Sequence, residues 1–195
     1  MKHKIAVIGL GYVGLPLSIA FSKKYNVVGF DINTKRIIDL KKNIDKTNEV
    51  KKKELKMAKK LLLSSDINSL NDCNIFVITV PTPIDRNNSP DLKNLLDATN
   101  LVSKKIKKKS VVIYESTTFP GCTEEICVPI LKKKSKLKYN KDFFCAYSPE
   151  RINPGDKKRK LDNISKIVSA SDKIALNIVY NIYNNVLKSK VIKVK

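Results

Sequence analysis

The chain contains a glycine-rich run with the spacing G-x-G-x-x-G, formed by Gly9-Leu10-Gly11-Tyr12-Val13-Gly14. A short apolar segment, residues 4–8, precedes it, and residues 12–22 carry apolar side chains at helical spacing. The first glycine of such a run permits a tight turn, the second lets the backbone approach a pyrophosphate, and the third lets a helix pack against a sheet. The N–H groups at the start of that helix then bind phosphate oxygens. The run therefore predicts a dinucleotide-binding turn.

An acidic residue follows at the distance that such a turn requires. Asp31 lies 22 residues after Gly9 and directly follows a second apolar segment, residues 26–30. A carboxylate at this place accepts hydrogen bonds from ribose hydroxyls and repels a 2′-phosphate, which favours NAD over NADP. Arg36 keeps NADP open as an alternative, because an arginine can bind the extra phosphate. A strand, turn and helix that retain the glycines for structural reasons alone are the other alternative.

Apolar segments alternate with segments of helical periodicity along the chain. Continuous apolar runs of this length are typical of strands covered on both faces, as in a parallel sheet. The pattern predicts strands at residues 4–8, 26–30, 61–63, 75–80, 111–114, 143–147, 164–169 and 191–194. It predicts helices at residues 12–22, 35–42, 91–107, 124–131 and 172–187, and a loop with a solvated helix at residues 43–60. In these helices Asp91 is the predicted N-cap of the third, and Ile37, Ile38 and Leu40 face the core from the second. We therefore expect an α/β fold with a doubly wound, mostly parallel Rossmann-type sheet and helices on both faces.

Three further motifs each follow a predicted strand. They are VPTPID at residues 80–85, YESTTFPGCT at residues 114–123 and YSPERINPGD at residues 147–156. Open α/β sheets bind ligands beyond the carboxyl ends of their strands, so these loops and the glycine turn are expected to border one crevice. Partial burial there can tune Glu150 toward general-base chemistry, with an ion pair to Arg151 or a nearby lysine as the alternative. For the threonine at position 117 the alternative is a helix or loop cap.

With the opening GLGYVGLPL, these motifs resemble those of the UDP-glucose/GDP-mannose dehydrogenase family over essentially the whole chain. The second and third motifs are most similar to the branch that acts on UDP-N-acetylhexosamines, including enzymes of Vi-type and O-antigen polysaccharide synthesis. The resemblance implies a catalytic role for Thr117, which would orient the water or the reacting oxygen, and for Glu150, which would transfer protons during thioester hydrolysis. It implies that NAD is held by Gly9, Gly11, Tyr12, Val13, Gly14, Asp31, Arg36, Val80, Pro81, Thr82, Ser116 and Thr117.

The chemistry that the resemblance implies is a double oxidation of the sugar C6 alcohol to a carboxylate. Two NAD molecules are consumed, and the intermediate aldehyde is captured by a cysteine thiol and leaves as a thioester that water hydrolyses. In the family this cysteine and its lysine and asparagine partners lie beyond the first domain. None of the four cysteines of this chain stands in that context, and a covalent mechanism needs a positioned thiolate. We therefore expect residues 1–195 to be an NAD-binding domain that is inactive alone. The resemblance also implies a central dimerisation helix and a sugar-nucleotide domain outside this chain, and a homodimeric full-length enzyme with a UDP-sugar substrate.

The net charge of +21 comes almost entirely from lysine, since the arginines are only Arg36, Arg86, Arg151 and Arg159. Recognition of bases and phosphates favours arginine, so the excess indicates a solvated surface, with nucleic-acid binding as the alternative. No zinc-ligand spacing is present, so no metal is expected. The thiols are expected to be reduced and mostly buried; for Cys122, which lies in a predicted loop, an accessible thiol is the alternative. No apolar run has the length of a membrane span, and the first ten residues lack a signal-peptide layout, so a cytoplasmic protein is expected.

Two other classes of protein stay open at this point. One is a different NAD-dependent dehydrogenase of the 6-phosphogluconate or hydroxyisobutyrate type, against which the motifs around Thr117 and Glu150 argue. The other is a non-catalytic remnant that binds a cofactor or nucleic acid. Binding of NAD discriminates the first from a nucleic-acid module, and retention on DNA that weakens steeply with salt would support the second.

Overall fold

The chain forms a mixed eight-stranded sheet in the computed structural model, which describes residues 3–84, 89–151, 161 and 163–194. The strand order is β3-β2-β1-β4-β5-β6-β7-β8. The strands are β1 Lys4–Ile8, β2 Asn26–Phe30, β3 Leu61–Ser64, β4 Ile75–Ile78, β5 Ser110–Tyr114, β6 Phe143–Tyr147, β7 Lys166–Ala170 and β8 Val191–Lys193. Strands β1 to β6 are parallel throughout, and their order is that of a dinucleotide-binding Rossmann fold. The predicted fold class is confirmed.

Helices cover both faces of this sheet. They are α1 Gly14–Ser22, α2 Thr34–Lys41, α3 Lys52–Met57, α4 Lys93–Ser103, α5 Val128–Ser135 and α6 Lys173–Asn184. Because side chains alternate along a strand, Ile5 and Val7 pack with α1, α2 and α6, whereas Ala6 and Ile8 pack with α4 and α5. Within the described residues, no helix is both long and apolar enough to cross a membrane. Two apolar layers therefore hold the strand ends, and the loops that follow them, in fixed positions.

Two predicted details of the helices are wrong. Ile38 is 51% exposed, while Ile37 and Leu40 are buried, because residues three apart share a helix face and the residue between them does not. Asp91 is not the N-cap of α4, which is Leu92, although the Asp91 carboxylate accepts a hydrogen bond from the N–H of Lys93 at 2.8 Å. Asp91 therefore still satisfies one N–H group at the start of the helix.

The predicted helix at residues 124–131 is in fact two segments. A π-helical segment, Cys122–Cys127, runs directly into α5. Gly121 precedes it with a φ of 86°, a left-handed conformation that suits glycine. This turn carries Cys122 into the core, where it is 1% exposed, so the alternative of an accessible thiol is not found. The other three cysteines are buried too and all four are free, which confirms the prediction of reduced, mostly buried thiols.

Strand β7 runs antiparallel to β6, and β8 runs parallel to β7. The chain therefore reverses its direction in the sheet after β6. As a result, the first residue of β7, Lys166, lies at the edge of the sheet where β1, β4, β5 and β6 end. The four loops singled out in the sequence follow those four strands, so β7 adds its own first residue to the same edge.

Candidate functional site

The glycine run forms a tight turn between β1 and α1. Gly9 has a φ of +93°, which only glycine adopts without strain. A side chain at Gly14 would place its Cβ 1.9 Å from the carbonyl oxygen of Gly9 and 2.4 Å from Oγ1 of Thr79. Helix α1 therefore begins in direct contact with the turn, and these two glycines are required by the fold itself.

Gly11 differs from its neighbours because the space in front of it is open. A Cβ at Gly11 would meet no protein atom within 4 Å. The described hydrogen bonds include none from the N–H groups of Gly11, Tyr12, Val13 or Gly14, and α1 has neither a side-chain cap nor an acidic residue in its first turn. An uncapped helix start that faces open space can accept an anion such as a diphosphate.

Asp31 lies at the carboxyl end of β2, next to this turn. Its Oδ2 accepts a hydrogen bond from the N–H of Leu10 at 2.8 Å, and its Oδ1 accepts one from the N–H of Asn33 at 2.9 Å. Each carboxylate oxygen has a second lone pair, so two further donors can be accepted. The side chain of Ile32 beside it is 80% exposed, which leaves an apolar surface at the mouth of the turn.

Arg36 supports the turn from behind through Nε, which donates to the carbonyl oxygen of Leu10 at 3.0 Å. Its Nη2 pairs with Oδ1 of Asp45 at 2.7 Å, and both side chains are largely buried. Burial by itself would raise the pKa of Asp45, but hydrogen bonds from Thr47 and Arg36 outweigh it and the pKa is lowered. The charge of Arg36 is therefore compensated within the protein, while its Nη1 is buried without a partner in the described residues.

Hydrogen bonds between neighbouring loops join the strand ends into one continuous edge. Thr79, which follows β4, donates through Oγ1 to the carbonyl oxygens of Gly9 at 2.7 Å and Ile8 at 3.0 Å. Ser116, which follows β5, donates through Oγ to the carbonyl oxygen of Val80 at 2.6 Å. The N–H of Ser148, which follows β6, donates to the carbonyl oxygen of Tyr114 at 2.9 Å. The four predicted loops therefore lie side by side, as the sequence led us to expect.

The remaining candidate residues of the two central loops differ in exposure. Thr117 and Pro81 are exposed, whereas Val80 and Thr82 are half-buried. The described hydrogen bonds include none that would make Thr117 a cap. The Oγ1 of Thr82 is buried and has no partner within the described part of the chain, which fits a residue that lines a ligand site. Of the third predicted motif, residues 152–156 lie outside the described residues.

Glu150 belongs to a buried cluster of charged side chains that the sequence analysis did not identify. The Nζ of Lys166 lies 2.7 Å from Oε2 of Glu115 and 3.4 Å from Oε2 of Glu150. The hydroxyl of Tyr183, on α6, donates to Oε1 of Glu115. The side chains of Lys166 and Glu150 are 6% and 7% exposed, and that of Glu115 is fully buried. Glu150 is therefore paired with a lysine, which was the alternative left open by the sequence, and Glu115 is the third charged residue of the cluster.

The protonation behaviour of this cluster follows from burial and from the neighbouring charges. Burial raises the pKa of Glu115, and the Lys166 ammonium offsets only part of this effect. Burial by itself would lower the pKa of Lys166, but the carboxylates of Glu115 and then Glu150 raise it above its ordinary value. Burial and the adjacent Glu115 raise the pKa of Tyr183 well above its ordinary value. Lysine thus stays charged and tyrosine stays a hydrogen-bond donor.

Lys166 was missed because its position depends on the direction of a strand. In a fully parallel sheet the first residue of β7 would lie at the opposite edge, far from Glu115 and Glu150. Lysine is also the commonest charged residue of this chain, so a single lysine at a strand start carries no signal of its own. The available sign was a lysine inside a predicted strand, since lysines are almost never buried without a partner.

A family model described as "UDP-glucose/GDP-mannose dehydrogenase family, NAD binding domain" matches residues 3–187. Among curated proteins, the chain is 50% identical over 184 residues to the UDP-N-acetyl-D-glucosamine 6-dehydrogenase of Pseudomonas aeruginosa, covering 94% of this chain and 44% of that protein. It is 49% identical over 193 residues to protein CapL of Staphylococcus aureus, covering 99% of this chain and 45% of that protein.

Among solved structures, the fold matches the UDP-D-ManNAc dehydrogenase of Pyrococcus horikoshii with a TM-score of 0.90 and 32% identity, covering 98% of this chain and 47% of that one. The chain therefore spans less than half the length of the relatives that it matches. In each case the similarity covers nearly the whole of this chain, so the residues discussed above lie within the matched part.

Proposed function

We propose that this chain, which belongs to the UDP-glucose/GDP-mannose dehydrogenase family and matches its NAD-binding domain, is the cofactor-binding part of a UDP-N-acetylhexosamine 6-dehydrogenase. Such an enzyme oxidises the C6 alcohol of the sugar to a carboxylate. The proposed substrate class is supported by the relatives near 50% identity, one of which is named for UDP-N-acetyl-D-glucosamine. The family match sets aside the alternative of a 6-phosphogluconate or hydroxyisobutyrate type of dehydrogenase.

The observation that carries the proposal is the open space in front of Gly11, bordered by free N–H groups and by Asp31. These groups complement a diphosphate joined to a ribose: the N–H groups donate to phosphate oxygens and the carboxylate accepts from hydroxyls. NAD, when bound, supplies the hydride acceptor. Residues Gly9, Gly14 and Thr79 shape the turn, and Ile32 offers an apolar surface on which a base can pack.

The surroundings of Asp31 support NAD over NADP. A 2′-phosphate would approach the Asp31 carboxylate, which is held in place by the N–H groups of Leu10 and Asn33. Arg36, the cation that would have to compensate, is already paired with Asp45. The local charge therefore disfavours an additional phosphate.

Thr117 and Glu150 are proposed to act on the reacting groups. The exposed Thr117 hydroxyl can orient a water molecule or the reacting oxygen, and the Glu150 carboxylate can hold a proton. Both follow neighbouring parallel strands, which supports a shared role. Six further residues stay predicted cofactor contacts: Tyr12, Val13, Val80, Pro81, Thr82 and Ser116. Four other expectations also stay predictions: an NAD-binding domain that extends over residues 1–195, a homodimeric full-length enzyme, a cytoplasmic location and the absence of nucleic-acid binding.

The test of the proposed function is calorimetric titration of the chain with NAD and, separately, with NADP. The wild type is expected to bind NAD more tightly than NADP. Asp31→Asn removes a charge that accepts ribose hydroxyls, and hydrogen bonds to charged groups contribute about 1.5–3 kcal/mol each, so NAD binding should weaken by about tenfold or more. Asp142→Asn is the matched control, because Asp142 precedes β6 at the other edge of the sheet and its carboxylate accepts a local hydrogen bond from the N–H of Lys138. A wild-type chain that does not bind NAD would refute the proposal.

Turnover provides a second test. A covalent intermediate needs an accessible thiolate, and all four thiols of this chain are buried. We therefore expect this chain alone to produce no NADH from UDP-N-acetylglucosamine. Sustained NADH production would contradict the assignment of the catalytic thiol to a part of the enzyme outside these residues.

A further inference from the structure

We propose that Lys166 is a positioning residue which, anchored by the buried Glu115, holds the Glu150 carboxylate in place. Nothing in the family match assigns a role to Lys166 or Glu115. The inference rests on the proposed function for its meaning in the reaction, because Glu150 matters as a proton acceptor only in such an enzyme. Its physical content is an electrostatic coupling that can be measured in this chain without any ligand.

The geometry gives the buried Lys166 ammonium two carboxylate partners. Its Nζ lies closer to Glu115, at 2.7 Å, than to Glu150, at 3.4 Å, and its side chain is 6% exposed. Glu115 is fixed from its other oxygen by the hydroxyl of Tyr183. The ammonium is therefore held by the fixed Glu115 carboxylate at a place within 3.4 Å of Glu150.

The charges of the cluster do not cancel. Two carboxylates and one ammonium leave one excess negative charge when all three groups are ionised. A buried excess negative charge makes uptake of one proton by the cluster as a whole favourable. Glu115 competes with Glu150 for the lysine, so the two carboxylates affect each other through Lys166.

Among the described residues, the loop of Glu150 itself and three neighbouring elements place polar or charged groups beside the cluster. The N–H of Arg151, on the same loop, donates to Oε1 of Glu150, and the Arg151 guanidinium reaches the carbonyl oxygen of Ser165 at 3.5 Å. The elements packed against the cluster contribute Glu115 after β5, Lys166 on β7 and Tyr183 on α6. Changes at Lys166 and Glu115 should therefore alter the electrostatic field at Glu150.

The coupling predicts shifts of opposite sign for two variants. In Lys166→Met the Glu150 carboxylate loses its cation, so its titration midpoint should rise by about 1 pH unit or more. In Glu115→Gln the competing carboxylate is removed and Lys166 serves Glu150 alone, so the midpoint should fall. Lys166→Arg keeps the charge and should stay near the wild type. A cluster with a purely structural role would change the stability of the fold without producing shifts of opposite sign.

The measurement is a pH titration of the glutamate side-chain carboxyl carbons by NMR in 13C-labelled chain. The Glu150 signal can be assigned because it is missing from the spectrum of Glu150→Gln. The chain has few glutamates, which are Glu49, Glu54, Glu115, Glu124, Glu125 and Glu150. Lys93→Met is the matched control, since it removes a lysine that pairs with Asp97 at 2.7 Å on an exposed helix face. It should leave the Glu150 midpoint unchanged.

Each outcome decides between the alternatives. An unchanged Glu150 midpoint in Lys166→Met, or shifts of the same sign in both variants, would overturn the inference. If Lys166→Met does not fold, as judged by circular dichroism, Glu115→Gln provides the test. A lower Glu150 midpoint in that variant supports the coupling, and an unchanged or higher midpoint overturns it. NAD titration of the same samples separates the two proposals. A wild-type chain that does not bind NAD would refute the proposed function, whereas an unchanged Glu150 midpoint in the variants would refute only the inference about Lys166.

Discussion

Replacing Gly11 by alanine adds one methyl group to the turn between β1 and α1, at the one glycine of the run whose Cβ would meet no protein atom within 4 Å. The φ of Gly11 is not in the left-handed region, which among the described glycines is occupied only by Gly9 and Gly121. An alanine is therefore compatible with the backbone. The added methyl group projects into the space that we assign to the diphosphate.

The structure gives opposite signs for stability and binding in this variant. A compatible change from glycine to alanine stabilises a protein by about 0.4–1 kcal/mol, because the unfolded chain loses freedom. For a chain of this size, that raises Tm by roughly 1–4 °C. Binding should weaken, because the methyl group keeps phosphate oxygens from the N–H groups; loss of one or two charged hydrogen bonds of about 1.5–3 kcal/mol corresponds to roughly 10-fold to more than 100-fold.

Gly14→Ala is the matched comparison, since it makes the same chemical change three residues later. Its Cβ would lie 1.9 Å from a backbone oxygen of Gly9, so the turn and α1 must separate. Overpacking of this kind costs about 1–3 kcal/mol or more, and Tm should fall by several degrees. Differential scanning fluorimetry and NAD calorimetry on both variants provide the data. A Gly11→Ala chain that binds NAD like the wild type, at unchanged or higher Tm, would refute the assignment of the diphosphate to this space.

Three further predictions concern the surroundings of the turn and the buried thiols. Thr79→Val, which keeps the shape but removes the donor to two carbonyl oxygens, should destabilise the chain by about 1–3 kcal/mol and weaken NAD binding, measured by urea unfolding and calorimetry. Asp45→Asn leaves Arg36 without its partner, so it should destabilise by about 3–5 kcal/mol at pH 7 and narrow the preference for NAD over NADP. Because the pKa of Asp45 is lowered in the folded chain, this contribution is present above about pH 4 and is lost as the pH falls through the folded value; the stability gap between wild type and variant should therefore close in acid, and a gap that is constant with pH would contradict this. Burial raises the pKa of both Cys73 and Cys127 to about 11, so thiol reagents should label these residues only after unfolding in guanidinium; rapid labelling of the native chain, followed by mass spectrometry, would show the burial to be wrong.

The parts of the fold that the sequence predicted are those set by local pattern. Strand β4, with every residue apolar, and α6, with Asp172 accepting hydrogen bonds from Ile174 and Ala175 at its start, were both recognised because their signals lie within one element. The glycine turn and Asp31 were predicted because their spacing is fixed by one strand, one turn and one helix. The position of Ile38 was wrong because an apolar type was given more weight than its place on the helix.

The parts of the site that were missed depend on contacts between distant residues. Glu115 and Lys166 are 51 residues apart, and Tyr183 lies 68 residues from Glu115. Only the reversal at β7 brings them together, and no local pattern in the sequence encodes the direction in which a strand enters a sheet. Thr79 was missed for a related reason, since a threonine at a strand end shows its role only when the carbonyl oxygens of Ile8 and Gly9 are in place.

The reversal at β7 also determines where a label or a surface tether can be attached to the chain without covering the Gly11 turn. Strand β1 begins, and β8 ends, at the same side of the sheet, because β8 runs against β1, while the Gly11 turn lies at the other side. A biotin or fluorophore joined ahead of β1 or after β8 would therefore lie on the side of the sheet opposite the Gly11 turn. With the five strand spacings between β1 and β8, each about 4.8 Å, the two attachment points are roughly 24 Å apart. Tethered to a sensor by either end, the domain would present its crevice to the solution.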